Sequence, residues 1–331
     1  MACGSTTNPT LSLAGAINVT VATAMPAAHA SAKDKANALS RITDFLRDFS
    51  LEATRPKAAD AAALKAEIPA GTRVYLSALP NRPLDELADQ AGLIRKFGLE
   101  PVPHVAVRNL QSRDDIVHLL VRLQSEAQVT HLLVIGGDRG DAAGPFATSL
   151  DLVESGLLQQ YGIRHVGLAG HPEGHPRVSD DVLDRALKAK IEAAEQSGLA
   201  VDIITQFCFD SGAIIAWVRR LRDYGIENPV RLGLAGPTNL TTLLRYAQRC
   251  GVKASASGLA RHAGLMKHLF GVSAPDGLVR SLADASARGT LGDIAAHFFS
   301  FGGIGATARW AAHAAQGRLV LDGDNGFSVE P

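Results

Sequence analysis

The stretch from Arg164 to Ser197, RHVGLAGHPEGHPRVSDDVLDRALKAKIEAAEQS, contains one complete structural unit. Arg164 to Gly170 is a short apolar run of strand length, His171 to Pro176 is a loop punctuated by Pro and Gly, and Asp180 to Ser197 carries an amphipathic helical pattern. The same alternation runs outward in both directions from about Asp34. The other candidate strands are Phe49 to Thr54, Arg73 to Leu79, Val102 to Val107, His131 to Gly137, Asp202 to Phe207, Val230 to Ala235 and His297 to Gly302. Helical patterns fill the gaps at Leu84 to Phe97, Ser112 to Gln124, Ser211 to Tyr224 and Asn239 to Cys250. The last connection, Leu240 to Ala296, is about twice the usual length, with breaks around Ser273 to Gly277, and is expected to hold extra helices. Eight successive βα units predict a (β/α)8 TIM barrel. A doubly wound sheet would place a GxGxxG turn after its first strand, and none follows Phe49 to Thr54. Residues 34–331 then form one α/β barrel domain behind an N-terminal extension of residues 1–33.

Composition narrows the function classes. With 33 Lys+Arg against 33 Asp+Glu, the net charge is +0, so no general field attracts nucleic acid or an anionic membrane. Cys3, Cys208 and Cys250 show no metal-ligand spacing and fit a reducing compartment, which makes the cytoplasm the expected location. Leu11 to Ala30 is apolar and rich in small residues, and Ala28-His29-Ala30 resembles a signal-peptidase site. No Lys or Arg precedes it, and Asn18, Thr20, Thr23 and Pro26 interrupt it, which argues against an export signal. No other run approaches a membrane span.

In a barrel of this kind the active site lies at the C-terminal ends of the strands. Polar residues collect there: Glu52 on the first strand, His104 on the third, Gly136-Gly137-Asp138 after the fourth, His171, Glu173 and His175 after the fifth, and Gln206 on the sixth. An apolar strand is an expensive place for Glu52 and Gln206 without partners or a task. The structural alternatives are an ion pair of Glu52 with Arg55 or another barrel-mouth cation, a turn role for Asp138, backbone pairing by Gln206 and a core histidine at His104. His171, Glu173 and His175 could also belong to a metal site, but Pro172 and Pro176 make their loop rigid rather than helical and no third ligand is well placed apart from His104. No metal is expected.

These residues carry a resemblance to the methylenetetrahydrofolate reductase family. Ser50-Leu51-Glu52-Ala53-Thr54-Arg55-Pro56 is similar to its S-x-E-F-x-P-P, Pro103-His104 to its P-H-L-T, and His171 to Pro176 to its Y-P-E-x-H-P. Ile204-Thr205-Gln206-Phe207-Cys208-Phe209-Asp210 is similar to I-T-Q-x-x-F-D, and Gly137-Asp138, Asp151-Leu152-Val153 and Leu187-Lys188-Ala189-Lys190 fall in the family's order. The resemblance implies a (β/α)8 barrel that reduces 5,10-methylenetetrahydrofolate to 5-methyltetrahydrofolate with NADH or NADPH, usually through bound FAD. It marks Glu52 as the general acid, with a pKa expected to be raised by its apolar neighbours. Asp138 then stabilises the cationic intermediate, and Gln206 pairs with the pterin. His104, Gly136, Gly137, His171, Glu173, His175 and Lys190 fall where the cofactor binds.

Departures from the family pattern concentrate at the flavin. Gly136 stands where most members have Arg, Leu79 replaces a Thr, Thr148 replaces a Tyr and His171 replaces the Tyr of Y-P-E-x-H-P. Near the C-terminus Gly303 stands for an Arg expected at the folate, and Leu240 for a Phe that stacks on the substrate or nicotinamide. The chain thus resembles a flavin-independent branch in which NADH gives hydride directly to the folate. Gly136, Gly302 and Gly303 would there leave room for a nicotinamide. An FAD-dependent reductase, a folate-binding homologue without catalysis and a metal-dependent barrel lyase or hydrolase stay as alternatives. A tetrahydrofolate derivative is the expected partner, nucleic acid and membrane are not, and self-association into a homo-oligomer is left open.

Overall fold

The computed structural model describes residues 32–79, 82–250, 272–323 and 325–330. In chain order the elements are α1 (Ala32–Leu46), β1 (Ser50–Ala53), α2 (Ala58–Glu67), β2 (Arg73–Leu76), α3 (Leu84–Lys96), β3 (Glu100–Ala106), α4 (Arg113–Ala127), β4 (His131–Ile135), α5 (Ser149–Glu154) and α6 (Leu157–Gln160). They continue with β5 (His165–Gly170), α7 (Asp180–Gln196), β6 (Ala200–Thr205), α8 (Ser211–Asp223), β7 (Val230–Ala235), α9 (Leu240–Arg249), α10 (Asp276–Ser286), β8 (Ile294–Phe299) and α11 (Ile304–Ala315). A hairpin of β9 (Leu319–Asp322) and β10 (Gly326–Val329) follows. Strands β1 to β8 are parallel and close on themselves in the order 1-8-7-6-5-4-3-2, which is the (β/α)8 barrel expected from the alternation.

Each expected strand is present; β1, β2 and β4 are shorter than expected, β7 matches, and β3, β6 and β8 begin two to three residues earlier and end earlier than expected. Ser77 to Leu79 and Gly136-Gly137 lie in the loops after β2 and β4. The long last crossover does contain extra helices, α9 and α10, with a two-residue antiparallel bridge between Thr238–Asn239 and Val272–Ser273. The expected extension lies almost wholly outside the described residues, and α1 begins at Ala32, two residues inside its predicted end. Among the described residues no helix is long and apolar enough to cross a membrane.

Local chemistry sets the boundaries. Ser112 and Asp115 form a reciprocal capping box at the start of α4, Thr148 and Asp151 do so at α5, and Asp210 caps α8 by accepting from Gly212 N at 2.8 Å. The outward faces of the strands and the inward stripes of the helices share one apolar core, including Leu51, Val74, Leu132, Val166, Leu232 and Phe298. Burying a side chain of that size stabilises by about 1.5–3 kcal/mol.

The barrel interior is layered. Its floor is ionic: Asp202 on β6 meets His131 Nε2 at 3.1 Å and Arg231 Nε at 3.4 Å, and Arg231 reaches on to Asp48 at 2.7 Å. Tyr75, Val102, Leu133 and Ile204 form the middle layer, with Tyr75 Oη donating down to Asp202 at 3.4 Å. Glu52, His104 and His297 make the top layer, at the C-terminal ends of the strands.

Candidate active site

Register explains how the top layer is assembled. Strand β1 lies between β8 and β2, with Ser50 opposite His297, and Glu52 opposite both Phe299 and Tyr75. Residues opposite one another in a parallel sheet face the same side, so Ser50, Glu52, His297 and Phe299 all point inward. Ser50 Oγ and His297 Nδ1 are 2.9 Å apart, and His297 Nε2 faces Glu52 Oε2 at 3.6 Å. His104 Nε2 approaches the same oxygen at 3.9 Å, while Ser77 Oγ donates to Glu52 Oε1 at 2.7 Å. Both imidazole Nε2 atoms are buried without a hydrogen-bond partner.

This setting corrects the expected state of Glu52. Burial, the largest single influence, does push the carboxyl upward, but His104, His297 and the Ser77 hydroxyl together outweigh it and hold Glu52 below its ordinary value. Burial keeps His104 below its ordinary value as well, and so neutral at pH 7. Arg55, the ion-pair partner offered first for Glu52, turns instead to Glu86 at 3.7 Å, and the basic side chains that do face Glu52 are His104 and His297. His104, expected at the cofactor, is buried beside the candidate acid and also lines the adjoining cavity.

Gln206 follows the end of β6. Its Oε1 accepts from Phe207 N at 3.0 Å, which fixes the carboxamide with its NH2 end as the remaining donor. Backbone pairing and an orienting role therefore coincide in one contact. Asp138 is exposed at the rim, in the loop after β4. The Cys250 thiol, just past α9, is pushed up to about 11 by desolvation first and then by the charges of Glu52 and Asp138, which places the end of α9 within the field of both carboxylates. Leu240 is half-buried at the start of α9, and Gly303 is exposed at the N-terminus of α11 with φ +114°.

The loop after β5 does two things. Glu173 Oε1 accepts from Phe209 N and Asp210 N, each at 3.3 Å, so this side chain ties the β5 loop to the β6 loop, and burial raises its carboxyl. His171 and His175 pack edge to face at 5.4 Å. His171 falls to about 4, through burial first and then His175 and Lys190, while burial lowers Lys190 on α7. The two histidines and Lys190 thus form one corner of the mouth, and Glu173 faces away from it.

At two of the glycines expected to leave room, the Cβ direction meets the chain itself. A Cβ at Gly136 would come within 3.0 Å of Arg108 Nη2, and one at Gly302 within 2.0 Å of Pro237 O. Only Gly303 faces open space, with nothing within 4 Å of its Cβ position. Gly137 has φ +88° and sits against Ala106.

Residues outside the expected set also line the mouth. Phe207, Phe299, Phe301 and Tyr246 form an aromatic slab on the β6 and β8 side, with Phe207 4.9 Å from Phe301 and Tyr246 stacked on Phe301 at 4.2 Å. On the other side a cavity of about 720 Å³ opens between the loops after β2, β3 and β4, lined by Ser77, His104, Arg55, Arg82, Arg139 and Asp114 among others. It borders Ser77 and His104, the partners of Glu52, but is not lined by Glu52, Asp138 or Gln206. Among the described residues, one His/Asp group is close enough to share an ion: His131, His165 and Asp202. Its imidazoles are stacked at 4.1 Å and 19°, so their in-plane lone pairs run side by side rather than converging, and the second Asp202 oxygen faces Arg231. The group acts as the ionic floor of the barrel.

The family model described as methylenetetrahydrofolate reductase matches residues 88–285, more than half of the chain. The chain belongs to the methylenetetrahydrofolate reductase family. Methylenetetrahydrofolate reductase 1 of Schizosaccharomyces pombe is 34% identical over 166 residues, covering 47% of this chain and 26% of the relative. Methylenetetrahydrofolate reductase (NADH) 1 of Arabidopsis thaliana is 29% identical over 176 residues, covering 48% and 28%. The chain thus spans little more than a quarter of the length of these relatives. A solved structure of an uncharacterized protein from Clostridium thermocellum that binds two copies of 5-methyl-5,6,7,8-tetrahydrofolic acid superposes with a TM-score of 0.54 at 13% identity, covering 81% of this chain and 93% of that one. That likeness is one of fold. Within the methylenetetrahydrofolate reductase family, the Glu52 cluster and the glycines whose Cβ direction meets the chain are the features of this chain on which a mechanism can be built.

Proposed function

We propose that this chain reduces 5,10-methylenetetrahydrofolate to 5-methyltetrahydrofolate with NADH or NADPH as the hydride source and without a tightly bound flavin. The setting of Glu52 carries this proposal: a carboxyl at the mouth of the barrel, held by Ser77 on one oxygen and by two imidazoles on the other. Substrate ring opening needs a proton at N10 as the bond from N10 to the methylene carbon breaks, leaving a 5-iminium cation. The reduced nicotinamide supplies the hydride that this carbon accepts, so one proton and one hydride account for the product.

Glu52 is the proton donor in this scheme. Without ligand its carboxyl sits below the ordinary value, but burial is already the largest influence on it and acts upward. A pterin laid over the mouth removes the remaining water and strengthens that influence, so substrate binding itself loads the proton. Asp138 faces the cation, the Gln206 amide pairs with the pterin edge, and Leu240 and Gly303 flank the folate. The coenzyme lies along the cavity after β2 to β4, where Arg139 lines the wall, with Lys190, His171 and His175 at the neighbouring corner. The Arg108 guanidinium lies against Gly136, where most members carry an Arg, and this supports the reading without a tightly bound flavin.

Deuterium transfer tests the scheme. With NADH deuterated at the transferred position of C4, the 5-methyltetrahydrofolate formed should carry the label in its methyl group by mass spectrometry. Product formed with the label washed out into solvent would mean a relay through an exchangeable carrier and would overturn direct transfer.

A further inference from the structure

We propose that Arg108, just beyond β3, is the positioning residue for Asp138, and that it forms one unit with Gly136. This rests on the role of Asp138 given above. Arg108 holds the loop after β4 with both its backbone and its side chain. Its N donates to Gly136 O at 3.2 Å, and its carbonyl accepts from Ala143 N at 2.9 Å. From the guanidinium, Nε donates to Gly136 O at 3.1 Å, Nη2 to Gly137 O at 2.7 Å and Nη1 to Gly140 O at 3.5 Å. Asp138 lies inside the span these bonds fix, with anchored carbonyls before it at Gly137 and after it at Gly140.

The arrangement is specific in two respects. The guanidinium is spent on carbonyl oxygens, which keeps the Asp138 carboxylate out of an ion pair with it and available to a cationic ligand. Glycine at 136 is what admits it, since a Cβ there would lie 3.0 Å from Nη2 and 3.5 Å from Cζ. At the far end of the loop, a Cβ on Gly144 would lie 2.3 Å from Gln111 O, so the segment is also pressed against the start of α4. The planar fork of arginine reaches three carbonyls at once, whereas the ammonium of lysine is a single point.

The test uses Arg108→Gln, Arg108→Lys, Gly136→Ala and the Arg108→Gln/Gly136→Ala double variant. It reads amide hydrogen exchange over residues 137–143 in the ligand-free protein, 5-methyltetrahydrofolate binding, and the split between kcat and KM for folate-dependent NADH oxidation. Arg108→Gln should speed exchange in the loop and lower kcat/KM for folate by about 10²-fold, as misplacement of a reacting group by about 1 Å does. KM for NADH should stay within a factor of two to three of wild type, Arg108→Lys should restore part of the loss, and the double variant should be no worse than Arg108→Gln alone, because both changes break one unit. Wild-type exchange in Arg108→Gln, additive losses in the double variant, or faster exchange with folate binding and kcat both unchanged would each overturn the proposal. Failure of the reductase assignment would show separately, as a wild-type protein that neither turns over nor binds 5-methyltetrahydrofolate while the exchange experiment still decides whether Arg108 holds the loop.

Discussion

Glu52 Oε2 lies 3.6 Å from His297 Nε2, across the seam where the last strand of the barrel closes on the first. The residues are far apart in the chain and meet only when β8 pairs with β1. The protonation state of the candidate acid is therefore a property of the closed barrel. Neither strand alone would set it.

Replacement of Glu52 by Gln keeps the shape of the side chain and removes the proton. Turnover should fall by about 10²–10⁴-fold, the usual contribution of a positioned general acid, with folate binding largely kept. Steady-state rates together with product binding check this. Full activity in Glu52→Gln would remove Glu52 from the mechanism.

Folate binding should take up a proton near neutral pH. Glu52 is held below its ordinary value in the free chain, and a ligand that dries the mouth raises it, so the bound state holds more protons than the free state. Calorimetric titration with 5-methyltetrahydrofolate in buffers of different ionisation enthalpy measures the number. Proton release, or none exchanged, would contradict the loading step.

Acid should destabilise the fold well above the carboxylate range. His104, His131 and His171 all sit below their ordinary value in the folded chain, chiefly through burial, with His171 at about 4. The unfolded chain takes up these protons first, as pH falls through about 6.5, so stability declines from there downward. Glu52, also lowered when folded, adds a loss at more acid pH, while Glu173, raised by burial, opposes it there. Thermal melts should show a lower Tm at pH 5 than at pH 7.5. A flat profile over that range would contradict the buried neutral histidines.

Gly302→Ala should be costly and Gly140→Ala should not. A methyl at 302 would meet Pro237 O at 2.0 Å and further backbone atoms of Pro237 and Thr238 at 3.0 Å, whereas one at 140 meets nothing within 4 Å. Overpacking against backbone of this kind destabilises by about 1–3 kcal/mol. Denaturant midpoints of the two variants compare them directly.

The barrel could be read from the sequence because buried parallel strands form continuous apolar runs between polar loops, and all eight are present in the structure with bounds shifted by a few residues. Helix α1 and the C-terminal hairpin were missed: they cover the outside of the barrel and add no βα repeat. Glu52 could be read because a carboxylate in an apolar strand stands out. Its partners could not, since Ser77 comes from the loop after β2 and His297 from β8, and they meet Glu52 only when the barrel is assembled. That is also why its apolar neighbours pointed to a raised carboxyl when the folded site lowers it. Arg108 was hidden for a related reason: its contacts are to backbone carbonyls of the next loop, which leave no mark in residue types.

The most direct measurement is anaerobic NADH oxidation by protein shown to be free of flavin, with and without 5,10-methylenetetrahydrofolate, repeated with NADPH and with added FAD. The account predicts folate-dependent oxidation of one of the two coenzymes, matched by 5-methyltetrahydrofolate formed and unchanged by FAD. Activity that appears only once FAD is added would contradict it.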